Sequence, residues 1–311
     1  MTPADTGIVA HGVRRTFGDV VAVDSIDLEA PPGQVTALVG PNGSGKTTLL
    51  LTLAALLVPD SGTVSVAGFD PTVDPRAVRA RTGWMPDVFG TWDALTCAEV
   101  LHTVSDAYRV PRPEQVERVR DLLELVHLVE FADRPTTVLS RGQKQRLGLA
   151  RALVHDPSVL LLDEPASGLD PRSRIELRSI VRALAAQGRA VLVSSHVLAE
   201  LDEMVDRAVV VAQGRTVAVE TLTGPEAVAD RRPRPWLVRS LDDARLLETL
   251  DRRRVPHGTP ERDGVQVELA GDHDAAELLA TLVRDGVPVV SLHPAAGVLE
   301  QVYLELTEDR R

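Results

Sequence analysis

The segment that most limits what this chain can fold into is Gly40-Pro41-Asn42-Gly43-Ser44-Gly45-Lys46-Thr47. It fits the pattern G-x-x-x-x-G-K-[ST]. Glycines, free of a Cβ, let the backbone curl until successive N–H groups point inward at an anion. The apolar run Val35–Gly40 reads as a buried strand before the loop, and Lys46–Leu57 as a helix after it. The positive end of that helix then meets the same anion. Strand, Gly-rich loop and helix in this order call for an α/β fold with a parallel core. Of the 34 basic residues only Lys46 and Lys144 are lysines. Within that arginine bias, Lys46 marks a place where a compact ammonium is needed. Lys46 is expected to reach the terminal phosphates of a nucleotide and Thr47 to offer its hydroxyl to Mg²⁺. Gly40, Pro41, Asn42, Gly43, Ser44, Gly45 and Thr48 complete the expected cradle.

Ser158–Glu164, SVLLLDE, supplies a second half. Its apolar residues predict a buried strand over Val159–Leu162, from whose end Asp163 emerges to hold Mg²⁺ or a water on it. Glu164 follows directly and is the candidate general base for an attacking water. Such a base contributes a factor of roughly 10² to 10⁴ in rate. Two solvated acids at a loop start would be the bland account. It leaves the apolar strand and the upstream phosphate loop unexplained.

Leu139–Leu147, LSRGQKQRL, narrows the class. It resembles the signature sequence of ABC ATPases, with Arg141 where the commonest form has glycine. The resemblance implies that Ser140, Gly142 and Gln143 contact nucleotide held by an opposite subunit. A serine N-cap at a helix start is also, physically, a good anion site. Further landmarks fall in order: Phe17 for stacking on adenine, Ser167-Gly168-Leu169-Asp170 for a loop coupling two facing sites, and His196 to contact the γ-phosphate and orient Glu164. One position departs. Gly83-Trp84-Met85-Pro86-Asp87 stands where the family has a glutamine that senses the metal, so Asp87 is expected to take that place.

The resemblance covers about residues 7 to 222 and implies a P-loop NTPase fold, a mixed sheet core with a helical subdomain. Gly224–Pro235 is rich in Pro, Gly and charge, and residues 223–235 are read as a linker. Residues 236–311 predict a small α/β domain, ferredoxin-like if Val255–Thr259 is a strand. Its end, Pro294 with Leu299–Thr307 (LEQVYLELT), resembles the C-terminal extension on ATPase subunits of ABC-2-type exporters.

The chain carries a net charge of −11 with a pI near 5.2, which gives no general attraction for nucleic acid. Cys97 is the single cysteine, so no intramolecular disulfide forms and a reducing compartment is expected. No secretory signal is recognisable, and the longest apolar run, Leu49–Val58, is about half the roughly 20 residues of a membrane span. A cytoplasmic ATPase is expected, peripheral on the inner face of the membrane through a separate transmembrane permease. With ATP and Mg²⁺, two copies of the chain would complete each other's sites. The alternative is a soluble ABC ATPase acting on a ribosome or a nucleic-acid complex. The absence of a second nucleotide domain and of coiled-coil insertions disfavours it.

Overall fold

The computed structural model describes residues 7–88, 90, 93–197, 201, 204–222, 233–260 and 263–295. The chain forms two compact units, Met1–Leu222 and Thr223–Arg311.

In the first unit nine strands form one sheet, in the order β4-β1-β2-β9-β8-β3-β7-β6-β5. They are β1 (Ile8–Phe17), β2 (Val20–Ala30), β3 (Val35–Val39), β4 (Ser61–Val66), β5 (Thr82–Met85), β6 (Val159–Asp163), β7 (Ala190–Ser195), β8 (Arg207–Ala212) and β9 (Arg215–Thr221). Strands β5, β6, β7, β3 and β8 run parallel, whereas β4, β1 and β2 pair antiparallel, as do β8 and β9. The mixed sheet is thus present. Every residue of β3, β6 and β7 is buried, as near-continuous apolar runs covered on both faces should be. Register fixes which strand ends become neighbours: Val39 pairs with Ser195 and Asp163 with Ser194. The carboxyl ends of β3, β7 and β6 therefore finish side by side, where open α/β sheets bind their ligands.

Among the described residues this unit also holds helices α1 (Lys46–Leu53), α2 (Pro75–Arg81), α3 (Cys97–Ala107), α4 (Arg112–Leu125), α5 (Arg141–Leu153) and α6 (Pro171–Ala186). The expected helix Lys46–Leu57 stops early. Ala55 takes a positive φ of 55°, and Leu56 and Val58 are exposed. The apolar residues from Val116 to Val129 recur at helical spacing and predict one amphipathic stretch over Glu114–Phe131, but the structure divides it in two. Helix α4 ends before His127, at φ 55°, and Val129–Phe131 form a separate 3₁₀ turn. Val116, assigned to the apolar stripe, is 69% exposed. Helix α6 begins at Pro171 because Asp170 caps it and a proline suits the first position. Cys97 is fully buried at the start of α3, and burial raises its thiol pKa.

Tyr108, at the end of α3, stacks on His155, just past α5, at 3.7 Å between ring centroids. Nε2 of His155 lies 3.2 Å from the Thr82 carbonyl oxygen, while its Nδ1 is buried without a partner. Burial disfavours the imidazolium and takes the pKa down to about 4. The unfolded chain therefore binds this proton from about pH 6.5 downward, and the native state only near pH 4. Stability is expected to fall as pH drops through that window, by on the order of 2–3 kcal/mol. Melting temperature followed from pH 7 to pH 4 should show a flatter slope in His155→Gln than in wild type.

The second unit holds β10 (Arg234–Ser240), β11 (Val265–Leu269) and β12 (Val289–Pro294), ordered β11-β10-β12 and antiparallel, with helices α7 (Asp243–Arg253) and α8 (Asp272–Arg284). Its core gathers Trp236, Val238, Leu246, Leu250, Val265, Val267 and Leu282. Val255–Thr259, the segment on which a ferredoxin-like order turns, forms one bridge, between His257 and Val267, and not a full strand. The order is that of a ferredoxin-like unit with its second strand all but missing. Arg234 and Pro235, read as the end of a linker, begin β10. Val298–Leu306, whose sequence reads as a helix, lies outside the described residues, as do 223–232 of the linker. Arg253 donates twice to Asp285, at 2.9 and 2.8 Å, and holds that carboxyl below its usual range, with Arg252 beside it at 3.5 Å. These arginines serve the α7–α8 contact.

Candidate functional site

The loop after β3 wraps the start of α1 because two of its glycines admit no side chain. A Cβ on Gly40 would lie 2.2 Å from the Val211 carbonyl oxygen. One on Gly45 would lie 2.5 Å from that of Ala22, and Gly45 itself sits at φ 99°. Gly45 occupies the N-cap of α1, with no side chain capping the first turn and no acidic residue in it. The first N–H groups of α1 thus face outward with the helix's positive end. The Ser44 hydroxyl, 2% exposed, is buried in the loop with no partner. Such an orphaned donor beside free N–H groups fits a phosphate oxygen. Pro41, Asn42 and Gly43 form the outer, exposed arc of the loop, and Thr48 accepts from the Thr52 hydroxyl through its carbonyl.

Lys46 is only 7% exposed. Its ammonium donates to the Gly40 and Pro41 carbonyls at 2.7 and 3.2 Å, and lies 3.8 Å from a Glu164 oxygen. Burial lowers its pKa, and the carboxylates of Glu164 and Asp163 counter that shift. The ammonium is thus held desolvated between loop and acids. Thr47 donates its hydroxyl to Asp163 Oδ2 at 2.9 Å, and the other oxygen of that carboxylate accepts from the Ser194 hydroxyl at 2.5 Å. A hydroxyl and a buried carboxylate are hard oxygen donors of the kind Mg²⁺ takes alongside phosphate oxygens and waters. The residues present therefore fit that ion.

Glu164 takes a positive φ of 50°, uncommon for a residue with a side chain, and its N–H donates to Ser194 Oγ at 3.0 Å. Its Oε2 lies 2.9 Å from His196 Nδ1, just beyond β7. Ser194 was not read from the sequence, yet it binds both acids. Its signal was the pair Ser194-Ser195 closing an otherwise aliphatic strand. Phe17 ends β1 with its ring 48% exposed, under the Arg15 guanidinium at 4.9 Å. It is free to stack on a flat partner.

Lys46, Thr47, Asp163, Glu164 and His196 are thus brought together. Other expected residues are not. Asp87 is exposed past β5. Its carbonyl accepts from Gln145 at 3.4 Å, and its side chain makes no bond to Thr47 or Asp163 among the described residues. Ser140, Gly142 and Gln143 open α5. Ser140 and Gln143 cap each other, with Gln143 N–H donating to Ser140 Oγ and Ser140 N–H to Gln143 Oε1. Among the described residues no hydrogen bond joins them to the Lys46–Asp163 group.

A family profile described as "ABC transporter" matches residues 23–167. Daunorubicin resistance ATP-binding protein DrrA2 of Streptomyces coeruleorubidus is 34% identical over 97% of this chain and 95% of that protein. Nod factor export ATP-binding protein I of Cupriavidus metallidurans is 34% identical, covering 96% of each. Among solved structures, the dimeric structure of MJ0796, described as a bacterial ABC transporter cassette, superposes with a TM-score of 0.64. It is 26% identical over 70% of this chain and 99% of that one. The same cassette in a post-hydrolysis state with ADP and Pi gives 0.63. With a phosphate loop, a metal-type acid and a second acid held by histidine at the carboxyl ends of neighbouring strands, this chain belongs to the ABC transporter family, as an ATP-binding and ATP-hydrolysing cassette.

Proposed function

We propose that this cassette powers an exporter, two copies working against a separate transmembrane permease on the cytoplasmic face of the membrane. The likeness to proteins named for drug resistance and Nod factor export runs nearly end to end, through the second unit as well as the first. That full-length likeness is the observation that supports export. No helix among the described residues is long and apolar enough to cross a membrane, so in this reading the pathway is the permease's.

The site geometry supports roles for each residue. Phe17 stacks on the adenine, and the N–H groups from Gly40 to Thr48 hold the β- and γ-phosphates with the Lys46 ammonium. Mg²⁺ bound by Thr47 and Asp163 would neutralise charge on the phosphate oxygens. Ser194 fixes the Asp163 carboxylate from the other side. Glu164 takes the proton of the attacking water, and His196 aims it through the 2.9 Å contact. Asp87, in the place of the family's metal-sensing glutamine, would report on the metal through a bound water. Ser140, Gly142 and Gln143 close on nucleotide held by the second copy, so the cassettes are joined while ATP is bound and part after hydrolysis. Daunorubicin resistance and Nod factor export belong to the relatives; the cargo here is set by the permease.

Gentle detergent purification of the tagged chain from its native membranes tests the proposal. A polytopic membrane protein in stoichiometric amount is the expected result. Ribosomes or nucleic acid in its place would overturn export in favour of a soluble ABC ATPase.

A further inference from the structure

Arg141, the first residue of α5, stands where the commonest form of the signature has glycine, and its side chain is turned onto the loop that follows Glu164. Its Nη2 donates to the Ser167 hydroxyl at 3.2 Å. Its guanidinium also lies against the backbone of Gly168, where a Cβ would come within 2.6 Å of Arg141 Cζ. Gly168 is at φ 68°, a conformation that other side chains adopt only with strain.

This loop is short and closed at both ends. The Ser167 N–H donates to the Glu164 carbonyl at 3.1 Å, and the Leu169 N–H to that of Ala166 at 3.2 Å. Asp170 then caps α6, accepting from the Ser173 N–H and hydroxyl at 3.0 and 2.7 Å. Helix α5 meets the same region twice more. A Cβ on Gly142 would sit 3.3 Å from Ser173 Oγ, and Arg146 pairs with Glu176 at 3.1 Å. Two of these contacts fix α5 against α6. Among these contacts of α5, the one that holds the Ser167–Gly168 turn itself is made by Arg141.

We propose that Arg141 is a positioning residue for hydrolysis within its own chain: by holding the Ser167–Gly168 turn it fixes, through that turn, the direction of the Glu164 carboxylate. The proposal rests on Glu164 being the general base. A lone exposed hydrogen bond adds little to stability, but a base that wanders loses rate while nucleotide affinity is untouched.

The test is steady-state ATPase kinetics and fluorescent-nucleotide binding on the full chain, with Arg141→Gly, Arg141→Lys, Ser167→Ala and the Arg141→Gly/Ser167→Ala pair. Arg141→Gly is expected to lower kcat by about fivefold to tenfold, with KM and nucleotide affinity within about twofold and an unchanged melting temperature. Arg141→Lys should recover part of the rate. The double variant should be no slower than Arg141→Gly alone, since both changes break one contact. Unchanged kcat in Arg141→Gly, effects that multiply in the double variant, or an affinity loss matching the rate loss would each overturn the proposal. Glu164→Gln run alongside separates the two readings. If it stays active, the base assignment fails. If it is inactive while Arg141→Gly turns over normally, only the role of Arg141 fails.

Discussion

Glu164→Gln is expected to bind ATP at least as tightly as wild type and to turn it over at least about 10²-fold more slowly, the scale of a general base. The amide keeps the size of the side chain and can still meet His196, but it cannot take a proton from water at neutral pH. The removed negative charge lies 3.8 Å from the Lys46 ammonium, so ATP affinity should rise rather than fall, since one competitor of the phosphates for that cation is gone. With hydrolysis stopped, ATP has no exit from the closed state, and the chain should shift from monomer to dimer on adding ATP and Mg²⁺. Light scattering behind a sizing column reads the dimer, and phosphate release reads the turnover. Turnover within a few fold of wild type would remove Glu164 from the base role and leave His196 without a purpose at Oε2.

Lys46→Ala is expected to fail one step earlier, at binding. The ammonium is buried, donates to two carbonyls of its own loop, and is kept charged by Glu164 and Asp163. Its loss leaves those two acids facing the phosphates without a cation. An unpaired buried charge costs roughly 3–5 kcal/mol, so ATP affinity should drop by at least about 10²-fold, as 1.4 kcal/mol is a factor of ten. Fluorescent-nucleotide titration checks it. Lys46→Arg is not a conservative rescue: the planar fork is larger than the ammonium and cannot sit within 2.7 Å of the Gly40 carbonyl in the same space. If Lys46→Ala bound ATP normally, the loop's N–H groups alone would be the phosphate site.

The two results separate binding from chemistry, which the geometry also separates. Lys46 and Ser44 lie within the loop, whereas Glu164 and His196 approach from the neighbouring strands. Asp163 joins the halves through Thr47 and Ser194.

Much of this was legible in the linear chain because it depends on local chemistry. A Gly-rich turn between an apolar strand and a helix can be recognised without knowing its neighbours, since the backbone curl and the helix's positive end are properties of a few consecutive residues. The same holds for SVLLLDE, whose burial is written in its own apolar run, and for the family resemblance carried by LSRGQKQRL. Element ends were less legible. Ala55 and His127 adopt a left-handed backbone that nothing in their residue type requires, and the hairpin that adds β9 turns at Gln213 and Gly214, both at positive φ.

What only the tertiary structure decided is which residues meet. Sheet register sets Asp163 beside Ser194 and brings His196 to Glu164. A one-residue slip would turn every one of those side chains to the other face. The Ser194-Ser195 pair at the end of an aliphatic strand does not say which hydroxyl is used, because the role of Ser194 comes from Asp163 and Glu164 at the end of another strand. The Arg141 contact is of the same kind. The sequence shows a departure from glycine, but only the packing of α5 against the loop before α6 shows what the guanidinium touches.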